Sequence, residues 1–481
     1  MRLAWFSPWP PDRSGVAGRS AELVPRLAER GHGVDVFVDE RRVPVARGHP
    51  AGPPEPGSVR VQSAHEFVWR ERRRSYDLTV YQIGNSQVHD FTWPYLFRWA
   101  GLVVLHDARL HHARGQALLS RRRFAAYRSE FAWNQPDVSL DAAELAVRGF
   151  AGVYYYQWPM VRTVVDSARL VACHARVAMA ELADAWPDRP FEYVALGEGR
   201  ARQDVAGDRR RIRARHGLPE SAIVFGVFGG LTAERRLSQI LNAFALTRRS
   251  VPDARLLLAG QPDATVALDD LIRTLGIGDA TCRLGAVDDE TFDAAIAAVD
   301  VSLNLRWPTA LEMSGPWLRA LAAGRPTVIV DLAHLADVPA LDPRTWRPHT
   351  PHPSSGDAPD PVAIAIDILD EDHSLRKAML QLATDATLRD SLGAAARRYW
   401  EAHHTVDRMV DDYERALARA ASLPPPTAAL PGHLRPDPLA HARSIANPIA
   451  GGLKPAPPAA SSGAGGDGLS RPAILGDLDL R

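Results

Sequence analysis

Short apolar runs alternate with amphipathic stretches through most of this chain, and that alternation limits its fold more than any other feature. Apolar runs bounded by turn residues and separated by helical periodicity describe strand, crossover helix and parallel strand. In the first half, residues 2–7, 34–38, 78–82, 102–105 and 170–172 read as strands. Residues 20–29 read as a helix, with Leu23, Val24, Leu27 and Ala28 at helical spacing and Gly31 as the stop. The pattern restarts with a strand at 222–226, a helix at 235–249 and a strand at 254–259. Helices at 268–275 and 291–298, a strand at 299–303, a helix at 314–323 and a strand at 326–330 complete it. Two open α/β sheets in tandem follow. A chain of 481 residues also exceeds what one ordinary core holds.

The rhythm breaks at RQDVAGDRRRIRARHGLPES, residues 202–221, a polar stretch that reads as an interdomain connection. The expected organisation is an N-terminal domain over 1–200, a connection over 201–221 and a C-terminal domain over 222–395. Helical spacing then continues through Leu388, Leu392, Ala395, Tyr399 and Trp400, and through Met409, Val410, Tyr413 and Leu417, predicting two terminal helices. Pro and Gly mark surface insertions around 49–57 and 349–361. From 422 to 481 periodicity vanishes among Pro and Gly, which predicts a disordered tail.

Lys plus Arg and Asp plus Glu are each 57, so whole-molecule attraction to nucleic acid or to an acidic membrane is no argument, and no nucleic-acid partner is expected. The two cysteines, Cys173 and Cys282, lie far apart without metal-ligand spacing, which suits a reducing cytoplasm. MRLAWFSPWPP meets Pro8 and Pro10 too early for a signal-peptide core and reads as a first buried strand. No apolar run reaches spanning length. Arg121–Arg123 with Arg128, beside Leu118, Leu119 and Phe124, leave peripheral contact with anionic lipid at the inner face of the membrane as an expectation.

Four constellations carry chemistry. The loop FSPWPPDRSGVAGRS joins the first strand to the first helix, where Gly15 lets a ligand approach backbone N–H groups. GLVVLHDARLHH ends an apolar strand in His106 and Asp107. There His106 serves as hydrogen-bond donor, acid or base, and Asp107 as its orienting partner. His111 and His112 follow at a spacing that fits no common zinc pattern, so no metal is expected. FGVFGGLTAERRLSQILNAFA brings Gly229, Gly230, Arg235 and Arg236 to a strand–turn–helix junction suited to a diphosphate. LNLRWPTALEMSGPWLRALAAGRPTVIVD pairs the carboxylate of Glu312 with N–H groups around Met313, Ser314 and Gly315, a combination that suits a sugar and its phosphate.

These residues carry a likeness. RSGVAGRSAELVPRLAERGHGVDVFVD, YQIGNSQVHDF and VVLHDARLHH resemble N-terminal segments of retaining GT-B glycosyltransferases, and so do GLTAERRLSQILNAFA and LRWPTALEMSGPWLRALAAGRPTVIV farther on. The family is the large bacterial mannosyl- and glucosyltransferase family, glycosyl transferases group 1, family 4. The likeness runs in order from about residue 1 to residue 420. It implies two Rossmann-like, doubly wound parallel-sheet domains facing across a cleft, with C-terminal helices packing back and residues 396–421 returning to the N-terminal domain.

It further implies a retaining hexosyl transfer from a nucleotide-diphosphate sugar to a glycan, lipid-linked or small-molecule acceptor, with no cofactor and no obligatory metal. By position, Gly15 would border the donor diphosphate and His106 would lie near the reacting sugar. Arg235 would replace the usual phosphate-binding Lys, and Glu312 would accept from donor hydroxyls. Ser314 and Gly315 would offer backbone N–H groups nearby. The chain departs from the pattern at several places. Arg319 or Ala320 stands where a second Glu is usual, Gly230 where many members carry Arg, and Leu311 and Met313 where relatives show Gly and Thr. A second reading follows from these: a catalytically impaired homologue that binds a nucleotide sugar or a partner transferase.

Overall fold

A computed structural model describes residues 1–12, 14–45, 52, 54–150, 152–199, 204–332, 335, 338–349, 360–427 and 429–435. The expected insertion at 349–361 falls mostly outside these residues and the one at 49–57 in part, as does the expected tail over 422–481 from 436 onward. Met1–Leu434 forms one compact unit.

The first lobe is a sheet of β1 (Arg2–Phe6), β2 (Gly33–Val38), β3 (Val59–Ser63), β4 (Leu78–Ile83), β5 (Leu102–Leu105), β6 (Leu170–Cys173) and β7 (Phe191–Tyr193). Their order is β3-β2-β1-β4-β5-β6-β7, all parallel, with the chain reversing direction between β1 and β4. β1, β2, β4, β5 and β6 are buried on both faces, which is why they read as unbroken apolar runs. β3 and β7 were not anticipated. Both lie at sheet edges, and VRVQS and FEY are only partly buried, so neither needs the apolar run that marks a central strand.

The second lobe is built from β8 (Val224–Phe228), β9 (Arg255–Ala259), β10 (Thr281–Gly285), β11 (Val301–Asn304), β12 (Thr327–Val330), β13 (Ala340–Asp342), β14 (Arg347–His349) and β15 (Ala363–Ile366). The order is β10-β9-β8-β11-β12-β15-β13-β14, with only the β13–β14 pair antiparallel. β10 escaped notice because TCRLG, at the sheet edge, has no fully buried residue. β13–β15 lie beyond the last strand that the sequence pattern marks.

The polar stretch read as a connection folds, over Val205–Arg215, into a helix. Its Arg213 is fully buried, donating to the carbonyls of Ala298, Pro219, Glu220 and Ala222 and to Asp300 at 2.7 Å. A guanidinium whose donors are all met can sit inside a core, so a run of arginines is not by itself a solvated linker.

The helix Ala386–His403 joins the second lobe, where Ala395, Ala396 and Trp400 pack with Trp317, Leu318 and Leu321. The last helix, Val406–Ser422, joins the first lobe. Its Met409, Val410, Tyr413, Ala416 and Leu417 share a core cluster with Leu3, Trp5, Val80 and Val104. Asp412, fully buried, accepts from the Ala195 N–H at 2.9 Å.

Candidate functional site

Three loop ends meet where the carboxyl edges of the two sheets face each other. From β1 the chain runs into Ser14, which caps the helix Gly15–Glu29 by accepting from the Ala17 N–H. Gly15 lies against Arg19, whose Nη1 would be 3.3 Å from an added Cβ. Arg19 reaches Glu198 at 3.2 Å, and Glu198 also binds Arg319 of the second lobe at 2.7 Å. An added Cβ at Gly315, the first residue of the helix Gly315–Ala322, would lie 3.5 Å from Arg19 Nη1 and from the Glu198 carboxyl carbon. The helix starts at Gly15 and Gly315 thus converge on one Arg19–Glu198–Arg319 network.

The loop after β11 folds around Glu312. One carboxylate oxygen accepts from the Thr309 hydroxyl at 2.9 Å and from the Ala310 N–H at 2.7 Å, while the other pairs with Arg306. Ser314 then caps the next helix by accepting from the Trp317 N–H. Leu311 sits at φ 62°, a conformation that costs an L side chain roughly 1–2 kcal/mol. It buries that side chain among Phe6, Tyr81, Ile83 and Leu105 of the first lobe, and next to it the Ala108 N–H donates to the Ala310 carbonyl at 2.9 Å. This loop is therefore anchored to both lobes.

Arg235, Asn304, Arg306, Glu312 and Ser314 line one small cavity. Arg235 is 7% exposed, and among the described residues no carboxylate forms an ion pair with it. Burial first and Arg306 second hold its guanidinium down at about 10. Gly229 accommodates it: φ there is 95°, and a Cβ would meet Arg235 Nη2 at 2.8 Å. Gly230 has no such constraint, since an added Cβ meets only a methyl group at 3.8 Å. Arg236 does not join its neighbour. At φ 57° the chain turns, and Arg236 pairs with Glu371 at the start of the helix Glu371–Thr384. The expected convergence of the two guanidinium groups is thus corrected: one faces the cavity and the other the helix beside it.

Asp107 does not orient His106 either. Its carboxylate accepts from the Asn85 N–H at 2.6 Å, and burial, then Glu312 across the lobe boundary, push it up to about 7. His106 donates Nε2–H to the Gln82 side-chain oxygen at 2.7 Å, which leaves Nδ1 as an acceptor. His174 donates from Nδ1 to the Val194 carbonyl, leaving Nε2 as an acceptor. Both rings are held below the usual histidine range by burial and are neutral. Arg19 Nε, Gln82 Nε2, His106 Nδ1 and His174 Nε2 are buried without a hydrogen-bond partner among the described residues, and all four residues line a second, smaller cavity inside the first lobe. Two N–H donors and two ring acceptors exceed what one hydroxyl can meet, since it has a single proton to donate; together they complement a water molecule.

Sequence reading missed Arg306, Arg19, Glu198, Gln82 and His174. Arg306 had a visible signal, a cation directly after an apolar strand. Glu198 had none, because its partners lie far away in the chain. His111, by contrast, is a core residue, bonded to Tyr127 at 2.7 Å and packed against Phe131, Tyr154 and Tyr155. Among the described residues no group of three or more His, Cys, Asp or Glu is placed to hold a metal. In the stretch expected to face lipid, Leu118 is buried in a core cluster, Arg128 pairs with Glu144, and Arg121–Arg123 are exposed. Among the described residues no helix is long and apolar enough to cross a membrane.

Residues 208–338 match the family model "Glycosyl transferases group 1". No curated protein sequence matches the chain. Among solved structures, it is similar to WaaG, a glycosyltransferase involved in lipopolysaccharide biosynthesis, at 15% identity and TM-score 0.54, over 86% of this chain and 98% of that one. Sucrose-phosphate synthase from Thermosynechococcus elongatus aligns at 14% identity and TM-score 0.56, over 87% and 98%. Anabaena HepE in complex with UDP-glucose aligns at 13% identity and TM-score 0.56, over 87% and 100%. The fold is GT-B: two Rossmann-like parallel-sheet lobes with a helical C-terminal part.

Proposed function

We propose that this chain transfers a hexosyl group from a nucleotide-diphosphate sugar to a glycan, lipid-linked or small-molecule acceptor, retaining the anomeric configuration and needing no metal. The observation that carries this reading is Arg235, a buried guanidinium with no carboxylate partner among the described residues, in one cavity with Glu312. A buried charge is costly to keep unpaired, and an incoming phosphate supplies the missing partner. The N-terminus of the helix Gly315–Ala322, with Ser314 and Met313 beside it, adds a fixed dipole of the same sign. HepE, of similar fold, was solved with UDP-glucose, which makes uridine the first base to test.

In the proposed reaction the bond between the anomeric carbon and the diphosphate oxygen breaks first, and the electron pair leaves with the phosphate. Arg235 and the helix dipole stabilise that charge as it forms, while the sugar takes on oxocarbenium character. Glu312, fixed by Thr309 and Ala310, accepts from sugar hydroxyls. The acceptor oxygen attacks from the side the phosphate has left and passes its proton to a phosphate oxygen, so no side-chain nucleophile is needed. On the opposite lobe, His106, which the resemblance would put near the reacting sugar, is neutral and donates to Gln82.

Incubation with radiolabelled UDP-, GDP- and ADP-sugars, alone and with lipid and glycan extracts, tests this. Transfer, or slow hydrolysis of one donor, is expected. One observation favours the impaired homologue: of Arg319 and Ala320, the two candidates for the place where the family usually has an acid, neither is acidic, and Arg319 is taken up by Glu198, Asp289 and Asp293. Saturable donor binding with neither transfer nor hydrolysis would decide for that alternative.

A further inference from the structure

Two guanidinium groups line the donor cavity, and the second is not free. Arg306 follows β11 directly, its side chain is about one-third exposed, and it pairs with the Glu312 oxygen that Thr309 and Ala310 leave open. Glu234, Asp107 and Tyr156 also face it from neighbouring elements. Before any ligand enters, then, the Arg306 charge is offset by the same carboxylate proposed to receive sugar hydroxyls. A nucleoside diphosphate brings more than one negative charge, whereas Arg235 offers one cation. Gly230, where an added side chain would meet open space, offers none.

Resting on the donor reading above, we propose that Arg306 is a second diphosphate-binding residue that exchanges partners: it releases Glu312 to the sugar and takes a phosphate oxygen. The Arg306–Glu312 pair stands in for the ligand in the empty site, each charge held by the other. Binding then replaces one ion pair by two interactions, Arg306 with phosphate and Glu312 with hydroxyl, at no net loss of paired charge. The guanidinium is carried two residues beyond the paired end of β11, and its exchange of partners needs only side-chain rotation.

The test compares affinities of the full chain for nucleoside, nucleoside monophosphate and nucleoside diphosphate by calorimetry, using the base that binds wild type best. Arg306→Gln should weaken the diphosphate about tenfold, the size of one lost hydrogen bond to a charged group, and leave the nucleoside unchanged. Arg306→Lys should recover part of the loss. Glu312→Gln should tighten the bare nucleoside diphosphate several-fold, because Arg306 no longer has to leave a partner, even as it slows sugar transfer. An unchanged diphosphate affinity in Arg306→Gln overturns the proposal, as does a weaker one in Glu312→Gln. Equal weakening of all three ligands by Arg306→Gln assigns a purely structural role and overturns it too. If wild type binds no nucleoside diphosphate of any base, the donor reading itself falls and takes this one with it.

Discussion

Arg235→Met removes a buried charge while nearly keeping the volume of the side chain, and it should make the empty protein more stable. At neutral pH the guanidinium is charged in both folded and unfolded chains, so its depression to about 10 is a full cost to the folded state. The sign follows from that: the penalty is complete at any pH below the folded value and fades only as pH climbs past it. At the conversion of 1.36 kcal/mol per pH unit, it amounts to roughly 3 kcal/mol. Methionine would recover a part of this, about 1–2 kcal/mol, since it gives up favourable contacts of the arginine stem. Urea denaturation followed by intrinsic fluorescence, with and without saturating nucleoside diphosphate, measures both sides. The variant should unfold at higher urea than wild type without ligand, and only wild type should gain from ligand. A variant less stable than wild type by 1 kcal/mol or so, with no ligand present, would refute the reasoning, because the guanidinium would then be serving the fold.

Glu198→Gln removes the carboxylate shared by Arg19 and Arg319, all three largely buried, and should cost about 3 kcal/mol by urea denaturation. A loss below about 1 kcal/mol would mean that the network is solvent-screened. Asp107, raised in the folded state, favours folding most at low pH, and that contribution is lost as pH rises from the unfolded carboxyl value through about 7. Asp107→Asn should therefore gain stability relative to wild type between pH 5 and pH 8, and a difference flat across that range would contradict this. At Leu311, Gly should be at least as stable as Ala, by about 0–1 kcal/mol, because relief at positive φ outweighs its unfolded-state entropy. Leu311→Ala should lose about 2 kcal/mol of interlobe burial, read from the same melts.

The central strands and their loops were legible because burial on both faces leaves no room for polar residues, and because loops at the carboxyl ends of such strands carry compact motifs. Gly229, Arg235, Glu312, Ser314 and Gly315 come together for that reason, as residues of two adjacent strand–loop–helix units. Edge strands such as β3 and β10 were not legible, since a half-exposed strand needs no apolar signature. Side-chain partnerships were hardest to read. Asp107 beside His106 looked like a pair, yet successive residues at a strand end point apart, and each found a partner from another element. Arg235 and Arg236 diverge because Arg236 itself takes the left-handed conformation.

The helix that finishes the first lobe follows the whole second lobe in the chain. Tyr413 rests on Trp5, their ring centroids 5.7 Å apart, so residues far apart in the chain share one core. On the ribosome the opening sheet must wait, one apolar face uncovered, until some four hundred residues have followed it out of the exit tunnel. A fragment ending near residue 200 would keep that face bare, which makes the nascent amino-terminal half a natural client for chaperones and ties its completion to the synthesis of the helix Val406–Ser422.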